Sequence, residues 1–282
     1  MSDSGPSAAP LVAGATSASP AVETARLTRR FGSLTAVDDL GVLIPAGAIF
    51  GLLGPNGAGK STTLKMLTTL LKPSSGSAHV CGFDVTRQSM EVRRRIGYVP
   101  QLLSADGSLT GYENLLIFAK LYGIARGERA RRIQEALDFM GLADAAPTLV
   151  RRYSGGMIRR LEVAQSMLHR PAVLFLDEPT VGLDPVARQA VWTHLRELRR
   201  QFGTTILMTT HDMEEADLLC ETVAIMHRGR VVALGSPAEL KAALAAGATL
   251  DDVFVHYAGT AFEAGGRYRD VAQERRTAQR LG

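Results

Sequence analysis

Apolar positions change their period several times along the chain, and each change marks an element. Glu23–Phe31 and Ala36–Ile44 partly alternate around Gly32-Ser33, which predicts a β-hairpin. Ala48–Leu53 is an unbroken apolar run ending at Gly54, the pattern of a buried parallel strand. A helix is predicted from Lys60 to Leu71, stopped by Pro73. Leu115, Leu116, Phe118, Ala119 and Tyr122 fall at helical spacing, and Ile133, Ala136, Leu137 and Met140 repeat it in a second helix. The second half alternates more cleanly. A helix over Gly155–His169 precedes the strand Val173–Leu176. A helix over about Pro185–Phe202 then places Val191, Leu195, Leu198 and Phe202 on one face, and precedes the strand Thr204–Thr209. A short helix follows Asp212, and Thr222–Met226 and Arg230–Leu234 read as a hairpin around Arg228-Gly229. Alternating strands and helices predict an α/β core, interrupted by an inserted helical lobe over about 102–170.

Composition limits where this core can sit. The chain has 282 residues, 46% hydrophobic and 21% charged, the balance of a globular protein with one large domain and appendages. Residues 1–21 are rich in Ser, Ala, Pro and Gly and are expected to be a disordered tail. The main domain is expected over 22–240, with a C-terminal extension over 241–282. No segment approaches the roughly 20 apolar residues of a membrane-spanning helix, so any crossing is expected to belong to another chain. A net charge of +4 is too small a bias to argue for nucleic acid. Cys81 and Cys220 stand far apart with no metal-like spacing and read as core or boundary residues.

Two motifs carry chemistry on their own. Gly54-Pro55-Asn56-Gly57-Ala58-Gly59-Lys60-Ser61 fits the pattern of a phosphate-binding loop, and it follows a strand and opens a helix, as that motif requires. Glycines let successive amides turn toward phosphate oxygens, and the helix N-terminus adds a favourable dipole. Lys60 is expected to reach the outer phosphates of a nucleoside triphosphate and Ser61 to place its hydroxyl on Mg²⁺, with Thr62 closing the loop. Asp177 and Glu178 directly follow the strand Val173–Leu176, where open α/β sheets place ligands. Asp177 suits Mg²⁺, and Glu178 suits a base acting on the attacking water.

Further residues resemble the nucleotide-binding subunit of an ABC transporter. Tyr153-Ser154-Gly155-Gly156-Met157 resembles the signature sequence, usually Leu-Ser-Gly-Gly-Gln; Gln101 after Tyr98-Val99-Pro100 resembles the Q-loop; Val181-Gly182-Leu183-Asp184 resembles the D-loop; and His211 resembles the switch histidine. Phe31 falls where the family has an adenine-stacking aromatic, with β-lobe core as its alternative role. The resemblance spans about 22–240 and implies an ABC-type P-loop NTPase core with an antiparallel β lobe and an inserted helical lobe. It implies ATP and Mg²⁺ as cofactors, with Ser61, Gln101 and Asp177 toward the metal. It also implies a second copy whose Ser154, Gly155, Gly156 and Asp184 complete the site. Lys60, Glu178 and His211 would carry the hydrolysis, beneath separate membrane permease subunits at the cytoplasmic face. Thr249–Phe254 resembles the end of daunorubicin-type drug-exporter ATPases, and the basic stretch Arg267–Arg280 is expected to touch the second copy, with a solvated tail as its alternative.

Two rival readings stay in view. Soluble ABC ATPases acting on nucleic acid or ribosomes tend to carry a long coiled coil or two nucleotide domains, whereas here only about 50 residues separate Gln101 from Ser154. A nucleotide sensor without turnover would not need both Glu178 and His211. The other histidines (His79, His169, His194, His227, His256) are expected at the surface or satisfied, and Trp192 in packing.

Overall fold

A computed structural model describes residues 11–12 and 20–259 of the chain. In chain order the strands are β1 (Leu11–Val12), β2 (Pro20–Phe31), β3 (Leu34–Leu40), β4 (Val42–Pro45), β5 (Ile49–Leu53), β6 (Ser75–Val80), β7 (Phe83–Asp84), β8 (Ile96–Val99), β9 (Val173–Asp177), β10 (Thr205–Thr210), β11 (Thr222–His227) and β12 (Arg230–Gly235). The helices are α1 (Lys60–Leu67), α2 (Ser89–Arg93), α3 (Gly111–Leu121), α4 (Arg126–Phe139), α5 (Gly155–Met167), α6 (Pro185–Phe202), α7 (Met213–Leu219), α8 (Pro237–Leu244) and α9 (Leu250–Gly259).

Two sheets result. One is mostly antiparallel, in the order β1-β4-β2-β6-β7 with β3 also on β2. The other runs β12-β11-β5-β10-β9-β8, parallel except for its β12 edge. The strands β5 and β9, apolar but for Asp177 at the end of β9, lie inside the second sheet, covered on both faces. One buried cluster, including Phe50, Leu64, Leu67, Phe175 and Leu207, fills the space between the sheets. The other packs α5, α6 and α7 on the opposite face through Leu161, Leu174, Leu195, Ile206 and Ala216. Between β8 and β9 the chain builds α3, α4 and α5. A reciprocal Thr110–Glu113 cap starts α3.

The structure corrects several boundaries. The strand expected over Ala36–Ile44 is broken at Gly41 into β3 and β4, both pairing with β2. Thr24 pins the break, because its Oγ1 accepts from the Val42 amide at 2.9 Å. The helix expected to reach Leu71 stops at Leu67: Thr69 turns left-handed (φ 65°) and the Leu71 amide folds back to the Lys65 carbonyl at 2.9 Å, ahead of Pro73. The helix expected to reach His169 ends at Met167, and β10 is offset by one residue at each end from the expected Thr204–Thr209. β6, β7, α2 and β8 carry no clear periodic signal in the sequence.

At the chain ends, β2 begins at Pro20, and Leu11–Val12 pair in parallel with Val42–Leu43; the rest of the expected 1–21 tail lies outside the described residues. α8 runs through residue 240, and Leu240, Leu250 and Val253 pack into the domain's own core. The basic stretch Arg267–Arg280 lies outside the described residues.

Phe175 is fully buried at the centre of β9. Phe175→Ala should cost about 3–5 kcal/mol in chemical denaturation; a loss under about 1 kcal/mol would contradict its place in the core.

Candidate active site

The parallel register brings four strand ends to one edge. Leu53 of β5 pairs with Thr210 of β10, Thr209 with Asp177 of β9, and Leu176 with Val99 of β8. The residues that leave these strands (Gly54, His211, Glu178 and, one step further on, Gln101) therefore start from a common line.

The loop after β5 is tightly folded. Gly54 (φ 155°) and Gly59 (φ 106°) both adopt conformations that L side chains avoid, and each is also hemmed in by backbone. A Cβ on Gly54 would lie 2.5 Å from the Met226 carbonyl oxygen, and one on Gly59 would lie 2.4 Å from that of Ala36. The Ala58 amide donates to the Pro55 carbonyl at 3.1 Å, while Asn56 and Gly57 stay exposed at the tip. Thr62, half-buried, lies in the first turn of α1.

Lys60 opens α1 and is only 4% exposed. Its Nζ donates to the carbonyls of Gly54 (2.7 Å) and Pro55 (3.2 Å) and lies 3.3 Å from Glu178 Oε1. Ser61 Oγ donates to Asp177 Oδ1 at 3.0 Å. Asp177 and Glu178 are both buried. Glu178 sits at φ 49°, a left-handed conformation that costs a non-glycine residue about 1 kcal/mol or more. Its Oε2 accepts from Gln101 Nε2 at 3.0 Å, and its Oε1 lies 3.4 Å from His211 Nδ1. Six of the sequence-predicted residues (Lys60, Ser61, Gln101, Asp177, Glu178 and His211) thus form one cluster.

Thr209 belongs to this cluster and was not singled out from the sequence. Its hydroxyl donates to Asp177 Oδ1 at 2.6 Å and accepts from the Glu178 amide at 3.0 Å, fixing both acids. A threonine pair closing an apolar strand, as in Thr205–Thr210, was the available signal. Burial and the nearby Asp177 charge push the Tyr98 hydroxyl up to about 12, so that ring stays neutral beside the acids. A further buried acid, Glu215 of α7, accepts from Thr180 Oγ1 (2.7 Å) and Trp192 Nε1 (2.9 Å), and burial raises its pKa. Trp192 therefore packs as expected and also donates, tying α6 to α7 behind His211.

The remaining predicted residues stand apart. Ser154 caps α5, accepting from the Met157 amide at 3.3 Å, and Asp184 caps α6, accepting from the Ala187 amide at 2.9 Å. The two caps are neighbours: a Cβ on Gly156 would lie 2.6 Å from that of Ala187, and one on Gly155 would lie 3.5 Å from the Leu183 side chain. Ser154, Gly155 and Asp184 are exposed, and Met157 packs its side chain against the core. Phe31 is 44% exposed at the end of β2, which excludes the core alternative, and the Arg29 guanidinium lies 4.5 Å from its ring centroid. Among the described residues no hydrogen bond or ion pair joins Ser154, Gly155, Gly156, Asp184 or Phe31 to the acid cluster.

A family model described as "ABC transporter" matches residues 37–181. The daunorubicin/doxorubicin resistance ATP-binding protein DrrA of Streptomyces peucetius is 48% identical over 224 residues, covering 79% of this chain and 68% of that protein. The Nod factor export ATP-binding protein I of Ralstonia nicotianae is 44% identical over 221 residues, covering 78% and 68%. The chain belongs to the ABC transporter family. It is an ATP-binding subunit, an ATPase coupled to transport. The fold agrees with two solved structures. An ATP binding subunit of an ABC transporter superposes with a TM-score of 0.75 at 29% identity, covering 84% of this chain and 98% of that one. CbiO1 from Clostridium perfringens, part of the ABC transporter complex cbiONQ, gives 0.72 at 30% identity, covering 79% and 91%. No helix of this ABC protein among the described residues is long and apolar enough to cross a membrane.

Thr209→Val keeps the shape of the side chain but removes the hydroxyl that holds both acids. It should cost about 1–3 kcal/mol in denaturant unfolding; wild-type stability would count against this bridge.

Proposed function

We propose that the loop Gly54–Thr62 holds the phosphates of ATP, that Asp177 and Ser61 hold its Mg²⁺, and that Glu178 is the base for hydrolysis to ADP and phosphate. The observation that carries this reading is the convergence of Lys60, Gln101 and His211 on the Glu178 carboxylate. Oxygen donors at Ser61 and Asp177, 3.0 Å apart, suit a hard cation that keeps several waters. Mg²⁺ would supply charge neutralisation between the phosphates. On ATP binding Lys60 exchanges its carbonyl partners in the loop for phosphate oxygens. Gln101 holds Oε2 of Glu178, and Oε1, released as Lys60 turns to the phosphates, takes the proton of the attacking water. Gln101 is also positioned toward the metal. His211, half-exposed beside Oε1, steadies the same water and the outer phosphate. Phe31 offers one open ring face to the adenine while Arg29 covers the other.

Two copies are proposed to pair head to tail. The helix starts at Ser154–Gly156 and Asp184, exposed at Ser154, Gly155 and Asp184, then face the outer phosphate held by the other copy, with helix-start amides and dipole directed at it. ABC ATP-binding subunits work with membrane permease subunits. Export of drugs or other hydrophobic compounds, from the cytoplasmic face, is proposed here because the similar proteins are named for drug resistance and Nod factor export.

Glu178→Gln should leave ATP affinity within about threefold while lowering turnover by about 10²–10⁴; wild-type turnover in a phosphate-release assay would remove Glu178 as the base. Ser154→Arg should retain nucleotide binding by the monomer and lose ATP-dependent dimers in light scattering. Dimers of that variant would contradict the shared site.

A further inference from the structure

Beside the acid cluster lies a buried ion pair that the proposed hydrolysis does not use. Arg159 and Glu162, one turn apart on α5, are each 2% exposed at the side chain and meet at 3.0 Å. Arg159 spreads its guanidinium over the next segment of chain: Nη1 donates to the Pro100 carbonyl at 2.7 Å and Nη2 to the Gln101 carbonyl at 2.8 Å. Glu162 completes the grip, accepting from both the amide and the hydroxyl of Ser104, the latter at 3.0 Å. The loop from residue 100 to 104 has no regular structure and is exposed at 101–104. Its backbone is nonetheless bolted to α5 at three residues.

A buried ion pair is a poor means of gaining stability, because desolvation offsets its attraction. Its geometry does something else well. The Gln101 side chain reaches Glu178, while its carbonyl is fixed by Arg159. Ser154 begins the same helix about 7.5 Å along the axis from Arg159, at five residues and 1.5 Å per residue. The pair therefore stands between the two functional ends of the domain.

We propose that Arg159 and Glu162 are positioning residues: they set Gln101 against Glu178 and make the loop 100–104 and the Ser154 end of α5 move as one piece. The inference rests on the roles proposed above for Gln101 and Glu178. Lysine at 159 would keep the charge beside Glu162 but could not fork to two carbonyls.

The test is a double-mutant cycle on the ATPase activity of the full chain. Arg159→Lys should lower kcat about tenfold with KM for ATP within about twofold. In a Gln101→Ala background the same change should lower kcat by less than about twofold further, because its effect passes through Gln101. A purely structural role would show a full additional loss in both backgrounds, or a KM that rises with the fall in kcat, and either would overturn the inference. Wild-type kcat in Gln101→Ala alone would overturn the reading of Gln101 and this inference with it. An impaired Gln101→Ala with additive losses would overturn the inference alone. Thermal melts confirm that each variant folds. If Arg159→Lys does not, Glu162→Gln, which keeps the side chain's shape and loosens Ser104, enters the same cycle with the same expected coupling.

Discussion

The parallel ladder β5-β10-β9-β8 is the constraint from which the site follows. Four strands whose registers agree end together, and every group of the acid cluster is set at or just beyond one of those ends. Hydrogen bonds across the ladder then do locally what the register does globally: Thr209 on one strand fixes Asp177 and Glu178 on the next. The carboxylates are buried, acceptor-rich and supplied with donors, so they can be held close together without solvent.

Unusual backbone conformations recur at the same edge. Gly54, Gly59 and Glu178 all have positive φ within a few residues of the strand ends. The parallel ladder below them is in continuous register and packed on both faces by apolar clusters, so the rest of the fold over-determines these conformations. A relaxed backbone at Glu178 would direct its carboxylate elsewhere, away from Lys60, Gln101 and His211.

Much of this was legible from residue order. The apolar runs of β5 and β9 and the 3.6-residue stripe of α6 are strong because burial on those faces leaves little choice of residue. The glycine loop and the Asp177-Glu178 pair were legible because their chemistry restricts both residue type and spacing. What could not be read has equally physical causes. β6 (Ser-Gly-Ser-Ala-His-Val) lies in the mostly antiparallel sheet, where polar residues are tolerated and the alternation fades. The break at Gly41 depends on a hydrogen bond that the Val42 amide donates to a residue far back in the chain, Thr24. Thr209 and Arg159 act through partners 32 and 58 positions away, and no local pattern carries such contacts.

The grip of Arg159 and Glu162 on the loop after β8 has a consequence for how such a protein changes over generations. It engages the carbonyls of residues 100 and 101 and the amide and hydroxyl of Ser104, and it makes no use of the side chains between them. Leu102 and Leu103 stand in solvent, Leu102 at 82% exposure. Carbonyl oxygens are common to all residues, so these two positions can be rewritten without loosening the anchor beneath. The inner grip can stay constant while the two outer side chains vary.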